Sequence, residues 1–189
     1  MERHEMIDGP ALDPVVSTVL RAGLGLLLLA SAVHKLREGR AFRAALTDYR
    51  LLPEHWVPVA AAAIVGIEFA VGASLWVPAT GAVPALAAAT LLAVYATAIA
   101  ANLARGRRHV ACGCAGPAGS QTIHWGLVAR NLLLALLAVA AAYPSTQRPL
   151  VWFDAVTGTG ALAYLALLYA ASDVALANLG RLRALRAGP

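Results

Sequence analysis

Charged side chains are scarce in this sequence of 189 residues. They make up 13% of the chain, whereas a soluble globular domain carries about 25%. Cysteine is rarer still, with two residues, while 60% of the chain is hydrophobic. This composition excludes a soluble catalytic domain and predicts an integral membrane protein.

A basic segment is also absent from the start of the chain. A cleavable signal peptide begins with such a segment, but the first 13 residues contain one arginine and four acidic residues. We therefore expect residues 1–13 to form a tail outside the membrane, and the first apolar run to remain in the mature protein.

Five long apolar runs account for the hydrophobic excess. They cover residues 14–33, 57–77, 82–103, 123–143 and 155–172. Each run is long enough, or nearly so, to cross a hydrocarbon layer about 30 Å thick as a helix, and lipid favours helices because it offers the backbone no hydrogen-bond partners. The sequence predicts an all-α, polytopic membrane helix bundle in the lipid bilayer. Its predicted parts are a four-helix domain over 14–143, a fifth transmembrane helix within 144–178 and a basic C-terminal tail over 179–189.

Basic residues concentrate on one side of this predicted bundle. Two, Arg3 and Arg148, lie on the other side. By the positive-inside rule, we expect a multi-pass protein of the bacterial inner membrane with its N-terminus outside and its C-terminus in the cytoplasm. The basic residues flank the apolar runs instead of alternating with aromatic residues, so no nucleic-acid partner is expected. The basic residues of the predicted cytoplasmic side, in the first and third loops and near the C-terminus, are Lys35, Arg37, Arg40, Arg43, Arg50, Arg105, Arg107, Arg108, Arg181, Arg183 and Arg186.

Helical periodicity marks two further segments. In the first loop, residues 39–52 carry apolar side chains at helical spacing, which predicts a short helix on the membrane surface or in solvent between the spans. In the second run, Ala62, Gly66 and Ala70 are spaced four apart, which predicts a packing face. The apolar residues of the first loop are Phe42, Ala45, Leu46 and Tyr49.

Both cysteines lie close together, at Cys112 and Cys114, in the loop before the fourth run. Two thiols separated by one glycine can close a small, strained disulfide, which suits exchange better than structural crosslinking. Basic neighbours, including His109, favour the reactive thiolate. The pattern predicts redox or sulfur chemistry at this pair. Two alternatives are an incidental pair and a zinc site with His109 and His124, although that spacing matches no standard zinc finger.

Two charged residues lie deep within predicted spans, where each costs at least about 2.5 to 3.5 kcal/mol unless it is paired or hydrated. Counted from the cysteine side, Glu68 is about 15 Å deep and Arg130 about 12 Å deep. Their similar depth predicts an ion pair beneath the thiols, with Asn131 and Asn102 as further polar groups. The alternative is a structural clamp without direct chemistry.

Arg21, seven residues into the first run, is a third charge inside a predicted span, and other charges lie near the span ends. His34 and Lys35 end the first run on the cysteine side, and we expect them to be interfacial charges that meet Asp173, or to line the redox pocket. Arg21 is expected to pair with Asp154 or to extend towards the interface.

Together these residues resemble the MauE branch of the MauE/DoxX membrane proteins. The resemblance extends over roughly residues 21–143. The chain departs from the family pattern at Ala115, where an aromatic residue is usual, and in its fifth span. The matching motifs are Cys-Gly-Cys-Ala-Gly at 112–116, Ile-His-Trp at 123–125, Arg-Asn-Leu-Leu at 130–133, Ala-Val-His-Lys at 32–35, Phe42, Tyr-Arg-Leu-Leu-Pro at 49–53, and Glu68.

The resemblance implies a compact four-helix bundle with Cys112 and Cys114 as a redox pair at one end, and Glu68, Arg130 and Asn131 as bundle residues behind it. It also implies a thioredoxin-like partner and a role in maturing a disulfide-rich protein such as the methylamine dehydrogenase small subunit. The arrangement is similar to that of vitamin K epoxide reductase proteins, which pass electrons from a Cys-x-x-Cys pair to a quinone. A quinone is therefore the one cofactor that this likeness suggests.

Three functions remain open from the sequence. The leading hypothesis is a thiol-disulfide redox protein that exchanges electrons or sulfur with a thioredoxin-like or sulfurtransferase partner. The second is a transporter or metal-handling protein in which the cysteines bind a thiophilic ion. The third is a non-catalytic assembly subunit. The charge distribution places the cysteines in the reducing cytoplasm, whereas oxidative maturation of an exported subunit needs them outside.

Overall fold

The computed structural model describes residues 11–77, 80–107, 110–112, 122–146 and 148–186, with side chains up to residue 178. Across these ranges the regular secondary structure is helical, apart from two isolated β-bridges, so the predicted all-α class is confirmed. A short 3₁₀ helix, Glu54–Trp56, leads into the third α-helix. The α-helices are α1 (Pro14–Arg37), α2 (Gly39–Tyr49), α3 (Val57–Ser74), α4 (Val83–Ala104), α5 (Trp125–Ala140) and α6 (Trp152–Arg186).

Four helical stretches are long and apolar enough to cross a membrane. They are α1, α4, the first 27 residues of α6, and Glu54–Ser74, which includes α3. The fifth apolar helix, α5, has 16 residues and rises only about 24 Å. The predicted fourth run was therefore too long. Its first residue, Ile123, instead donates its backbone N–H to the Val110 carbonyl at 3.0 Å. The chain is a multi-pass membrane protein.

Local sequence signals explain where α1 and α2 begin and end. The carboxylate of Asp13 accepts a hydrogen bond from the Val15 N–H at 2.8 Å, and a proline occupies the first turn of α1, which is a favourable helix start. The predicted first-loop helix is confirmed as α2, and its Phe42, Ala45 and Tyr49 side chains are buried. Its position relative to the membrane surface stays a prediction.

The core of the bundle consists of α1, α3, α4 and α5. Within it, the most extensive contacts are those of α4 with α5 and of α1 with α3. The helix α6 lies outside this core against α1, and the short helix α2 packs on α3. α1 and α3 approach each other at Gly25, where an added Cβ would lie 2.9 Å from the Gly72 carbonyl oxygen. The face predicted from Ala62, Gly66 and Ala70 was wrong, because these residues are exposed. The close approach lies on another side of the same helix.

A polar cluster fastens the end of the bundle opposite Cys112. Leu12 donates to the Pro144 carbonyl at 2.9 Å, and Arg148 donates to both Asp13 and Asp154 at 2.8 Å. The Arg148 guanidinium lowers the pKa of Asp13 below its ordinary value, chiefly by this hydrogen bond. The predicted pairing of Arg21 with Asp154 was wrong. Asp154 forms its salt bridge with Arg148, and Arg21 donates to the Thr80 hydroxyl instead.

Candidate functional site

The segment that carries Cys112 is closed by a short backbone pairing. Ala111 and Thr122 form an isolated antiparallel bridge, next to the hydrogen bond between Ile123 and Val110. The bridge therefore holds residues 111 and 122 side by side, and Cys112 is the first residue after it.

Cys112 is anchored from two sides. Its side chain is 7% exposed and packs in an apolar cluster with Tyr49, Ile99 and Leu127. The Tyr49 hydroxyl donates to the Cys112 carbonyl oxygen at 3.3 Å, so α2 holds this segment against the core. Cys114 lies outside the described residues, and its pairing with Cys112 stays a prediction.

The alternative zinc site has four proposed ligands. Two of them, Cys112 and His124, are described, whereas Cys114 and His109 lie outside the described ranges. Among the residues that the structure does describe, no group of three or more histidine, cysteine or acidic side chains is arranged to hold a metal ion.

Glu68 is the centre of a buried polar cluster in the middle of the bundle. Its side chain is fully buried, and its Oε1 atom accepts hydrogen bonds from Ser31 Oγ at 3.0 Å, Tyr95 Oη at 2.8 Å and Lys35 Nζ. Lys35, which is 3% exposed, forms a salt bridge with the same oxygen. Its ammonium also lies 5.4 Å from the centre of the Phe42 ring, a cation–π contact. Three helices, α1, α3 and α4, therefore meet at one carboxylate oxygen.

The predicted ion pair between Glu68 and Arg130 was wrong. Depth alone suggested it, but Glu68 faces Ser31 and Lys35 of α1 and Tyr95 of α4. Helical side chains point towards the N-terminus of their own helix. For α1 this direction leads into the membrane, so Lys35 reaches Glu68 although it lies near the end of its helix. Lys35 is therefore a buried ion-pair partner instead of an interfacial charge.

Arg130 forms the second buried ion pair with a different helix. Its Nη1 atom donates to Asp173 Oδ1 of α6 at 2.7 Å, and the two side chains are 12% and 2% exposed. The guanidinium lies 5.2 Å from the centre of the Tyr169 ring. Asp173 thus joins α6 to α5, and the predicted contact of Asp173 with His34 and Lys35 was wrong.

The two remaining predicted residues of the bundle have different environments. Asn131 is 4% exposed and donates its side-chain N–H to the Leu127 carbonyl at 2.8 Å. His34 is exposed but lines the edge of a cavity that Glu68, Arg130 and Asn131 also line. The structure thus brings four predicted residues to one cavity, although it does not pair them as expected.

Sequence reasoning missed Ser31 and Tyr95, which complete the Glu68 cluster. Both are neutral residues within apolar runs, so neither drew attention as a charge. One signal was present: Ser31 precedes Lys35 by four residues, which places both on one face of a helix. The hydroxyl of Ser31 accepts from Lys35 at 2.7 Å.

These features define a class: a multi-pass helical membrane protein with two buried ion pairs and an anchored cysteine at one end of its core. Residues 13–144 match the protein family described as methylamine utilisation protein MauE. The chain belongs to this family, which confirms the resemblance that the motifs indicated.

Individual relatives match over much of the chain. "Methylamine utilization protein MauE" of Paracoccus denitrificans is 40% identical over 131 residues, 69% of this chain and 70% of the relative. The protein of the same name from Methylorubrum extorquens is 36% identical over 169 residues, 88% of this chain and 91% of the relative. That of Methylophilus methylotrophus is 32% identical over 164 residues, 86% of each chain. No solved structure matches the chain.

Proposed function

We propose that this chain is a membrane thiol-disulfide redox protein of methylamine utilisation, in which Cys112 and Cys114 exchange disulfides with a thioredoxin-like partner. Membership of the MauE family and the names of the relatives support the pathway. The observation that carries the chemistry is the anchoring of Cys112 by Tyr49 and by the bridge between Ala111 and Thr122.

The burial of Cys112 suggests different roles for the two cysteines. Since Cys112 is 7% exposed, we assign the first contact with a partner to Cys114. A thiolate of the partner attacks Cys114 in the Cys112–Cys114 disulfide, forming a mixed disulfide and releasing the Cys112 thiolate. The second thiol of the partner then displaces Cys114. The partner loses two electrons and two protons as its disulfide forms, and the two cysteines gain them.

The residues around the pair have supporting roles in this proposal. His109 precedes Cys112 by three residues and favours the thiolate. The ion pairs of Lys35 with Glu68 and of Arg130 with Asp173 hold four helices in register. They act as structural clamps that position the cysteine segment.

The charge distribution supports a cytoplasmic position for the cysteines, with the N-terminus outside. The loops and the C-terminal segment on the cysteine side together carry most of the basic residues, as cytoplasmic segments do. An impermeant maleimide tests this with the Cys112→Ser variant, in which Cys114 is the sole thiol. We expect labelling only after the cells are opened, and labelling in intact cells would reverse the assignment.

A trapping experiment tests the redox proposal itself. Reduced Cys112→Ser protein retains Cys114 for attack on a thioredoxin-like partner that keeps one active-site cysteine, activated as a mixed disulfide with thionitrobenzoate. Cys114 displaces thionitrobenzoate, and neither protein then has a second thiol to resolve the product. We expect a stable mixed disulfide, seen as a mass increase that reductant reverses. The matched Cys114→Ser variant should give little adduct because Cys112 is buried. Adduct from neither variant, together with wild-type cysteines that never form a disulfide, would refute the proposal.

A further inference from the structure

We propose that the cavity along α1, α5 and α6 binds a neutral amphiphile with a hydroxyl group on its head and a long apolar chain. This site is distinct from the cysteine pair, and the proposal does not depend on redox chemistry at Cys112. Three observations carry it: an unsatisfied carboxylate oxygen, the distribution of polar side chains along the cavity, and the charge balance at its polar end.

The first observation is the uneven hydrogen bonding of Glu68. Its Oε1 atom accepts from Ser31, Lys35 and Tyr95, whereas its Oε2 atom is buried without a hydrogen-bond partner among the described residues. A buried acceptor left unsatisfied is costly, and native proteins rarely retain one. Because Glu68 lines the cavity, we infer that a donor outside the polypeptide completes this carboxylate.

The second observation is the shape of the cavity, which has a volume of about 520 Å³, within the range of ligand sites. Its polar side chains gather at the cysteine end, where Ser31, Arg130 and Asn131 lie. From Ser31 back to Val19, the lining of α1 spans about 18 Å of helix. Beyond the polar end the lining is aliphatic, from Leu24, Leu27, Leu134, Leu137, Leu162 and Leu165 among others. This arrangement fits a polar head joined to a long apolar chain.

The third observation is the charge at the polar end. The carboxylate of Glu68 is paired with Lys35, and Arg130 is paired with Asp173, so the charges at this end cancel. A charged head group would lack a counter-charge in a low-dielectric site. A neutral head that donates one hydrogen bond to Glu68 satisfies the carboxylate without disturbing either pair.

Two kinds of membrane molecule share this chemistry, an isoprenoid hydroquinone and an acylglycerol. Both are neutral, and each carries a hydroxyl donor beside a long apolar chain. The experiment uses three probes with the protein in nanodiscs: a decyl-substituted hydroquinone, its di-O-methyl ether, and monodecanoylglycerol. The ether keeps the shape of the hydroquinone and lacks the donor.

We expect at least one hydroxyl-bearing probe to bind. If the occupant is a hydroquinone, the hydroquinone probe should bind at least about tenfold more tightly than its ether, because a hydrogen bond to a charged group contributes this much. Tighter binding of monodecanoylglycerol than of the hydroquinone would identify an acylglycerol. Binding of neither, or equal binding of hydroquinone and ether with no binding of the glycerol, would overturn the proposal and indicate that water alone satisfies Glu68.

Matched glycine variants locate the site without altering Glu68. A Cβ at Gly23, which lines the cavity, would lie 3.5 Å from Leu162, so Gly23→Leu fills the apolar part. A Cβ at the exposed Gly66 meets nothing within 4 Å. We expect Gly23→Leu to weaken binding at least tenfold and Gly66→Leu to leave it unchanged. Equal binding by both variants would refute the location. Serine at both cysteines should not alter binding, which separates this test from the redox proposal.

Discussion

The ion pair between Lys35 and Glu68 gives the sharpest stability prediction. Replacing Lys35 by Met keeps a side chain of similar length but removes the charge that Glu68 faces. Both residues are almost fully buried, at 3% and 0% exposed, so bulk solvent gives the lone carboxylate little compensation. We expect Lys35→Met to be strongly destabilising, because it leaves an uncompensated carboxylate within the membrane.

The magnitude follows from the cost of breaking a buried ion pair. Removing one partner of such a pair costs about 3–5 kcal/mol, so we expect Lys35→Met to lower the free energy of unfolding by about this amount. The double variant Lys35→Met with Glu68→Gln should lose much less, because it removes both charges and keeps an acceptor for Ser31 and Tyr95.

Equilibrium unfolding in mixed micelles, followed by circular dichroism, measures these differences as a double-mutant cycle. We expect a coupling energy of at least about 2 kcal/mol between Lys35 and Glu68. The same cycle between Arg130 and Glu68 should give less than about 1 kcal/mol, because Arg130 is paired with Asp173. A loss below about 1 kcal/mol in Lys35→Met, or stronger coupling of Glu68 to Arg130, would refute this reasoning.

Three further predictions concern other contacts of the bundle. Asp173→Asn should destabilise the attachment of α6 by about 2–4 kcal/mol, measured as faster proteolysis of α6, while Arg130→Met with Asp173→Asn should restore much of the loss. Gly25→Val should cost about 1–3 kcal/mol, measured by thermal unfolding, since its Cβ would lie 2.9 Å from a backbone oxygen of α3. Arg148→Gln should make stability less sensitive to acid. The hydrogen bond from Arg148 lowers the pKa of Asp13 in the folded protein. The stabilisation that this contact gives is therefore fully present when the pH is above the ordinary pKa of 3.8. It is lost as the pH falls through the lower pKa of the folded state. Wild type should therefore lose more melting temperature than Arg148→Gln between pH 5 and pH 3.

The course of the chain through the membrane could be predicted because it depends on local composition. Apolar runs of about twenty residues leave few alternatives to helices in lipid, and helical spacing was enough to find α2. The start of the helix in the fourth run could not be found in this way. Ile123 is as apolar as the helix that follows, but its N–H pairs with Val110 across the loop. That hydrogen bond joins residues of different segments, so it cannot be predicted from the hydropathy of the sequence.

The partners of the buried charges could not be predicted for a related reason. A sequence gives the depth of a residue along its helix, but pairing also depends on which neighbour that side of the helix faces. Glu68 and Arg130 match in depth, yet α3 packs on α1 while α5 packs on α4. Glu68 therefore pairs with a residue of α1 and Arg130 with a residue of α6, and depth along the helix identified neither partner. Ser31, Lys35 and Tyr95 converge on one oxygen of Glu68, so the other oxygen faces a side that the described helices leave without a donor. The packing that rules out the pair with Arg130 is thus the same packing that leaves a polar position open to a ligand from the membrane.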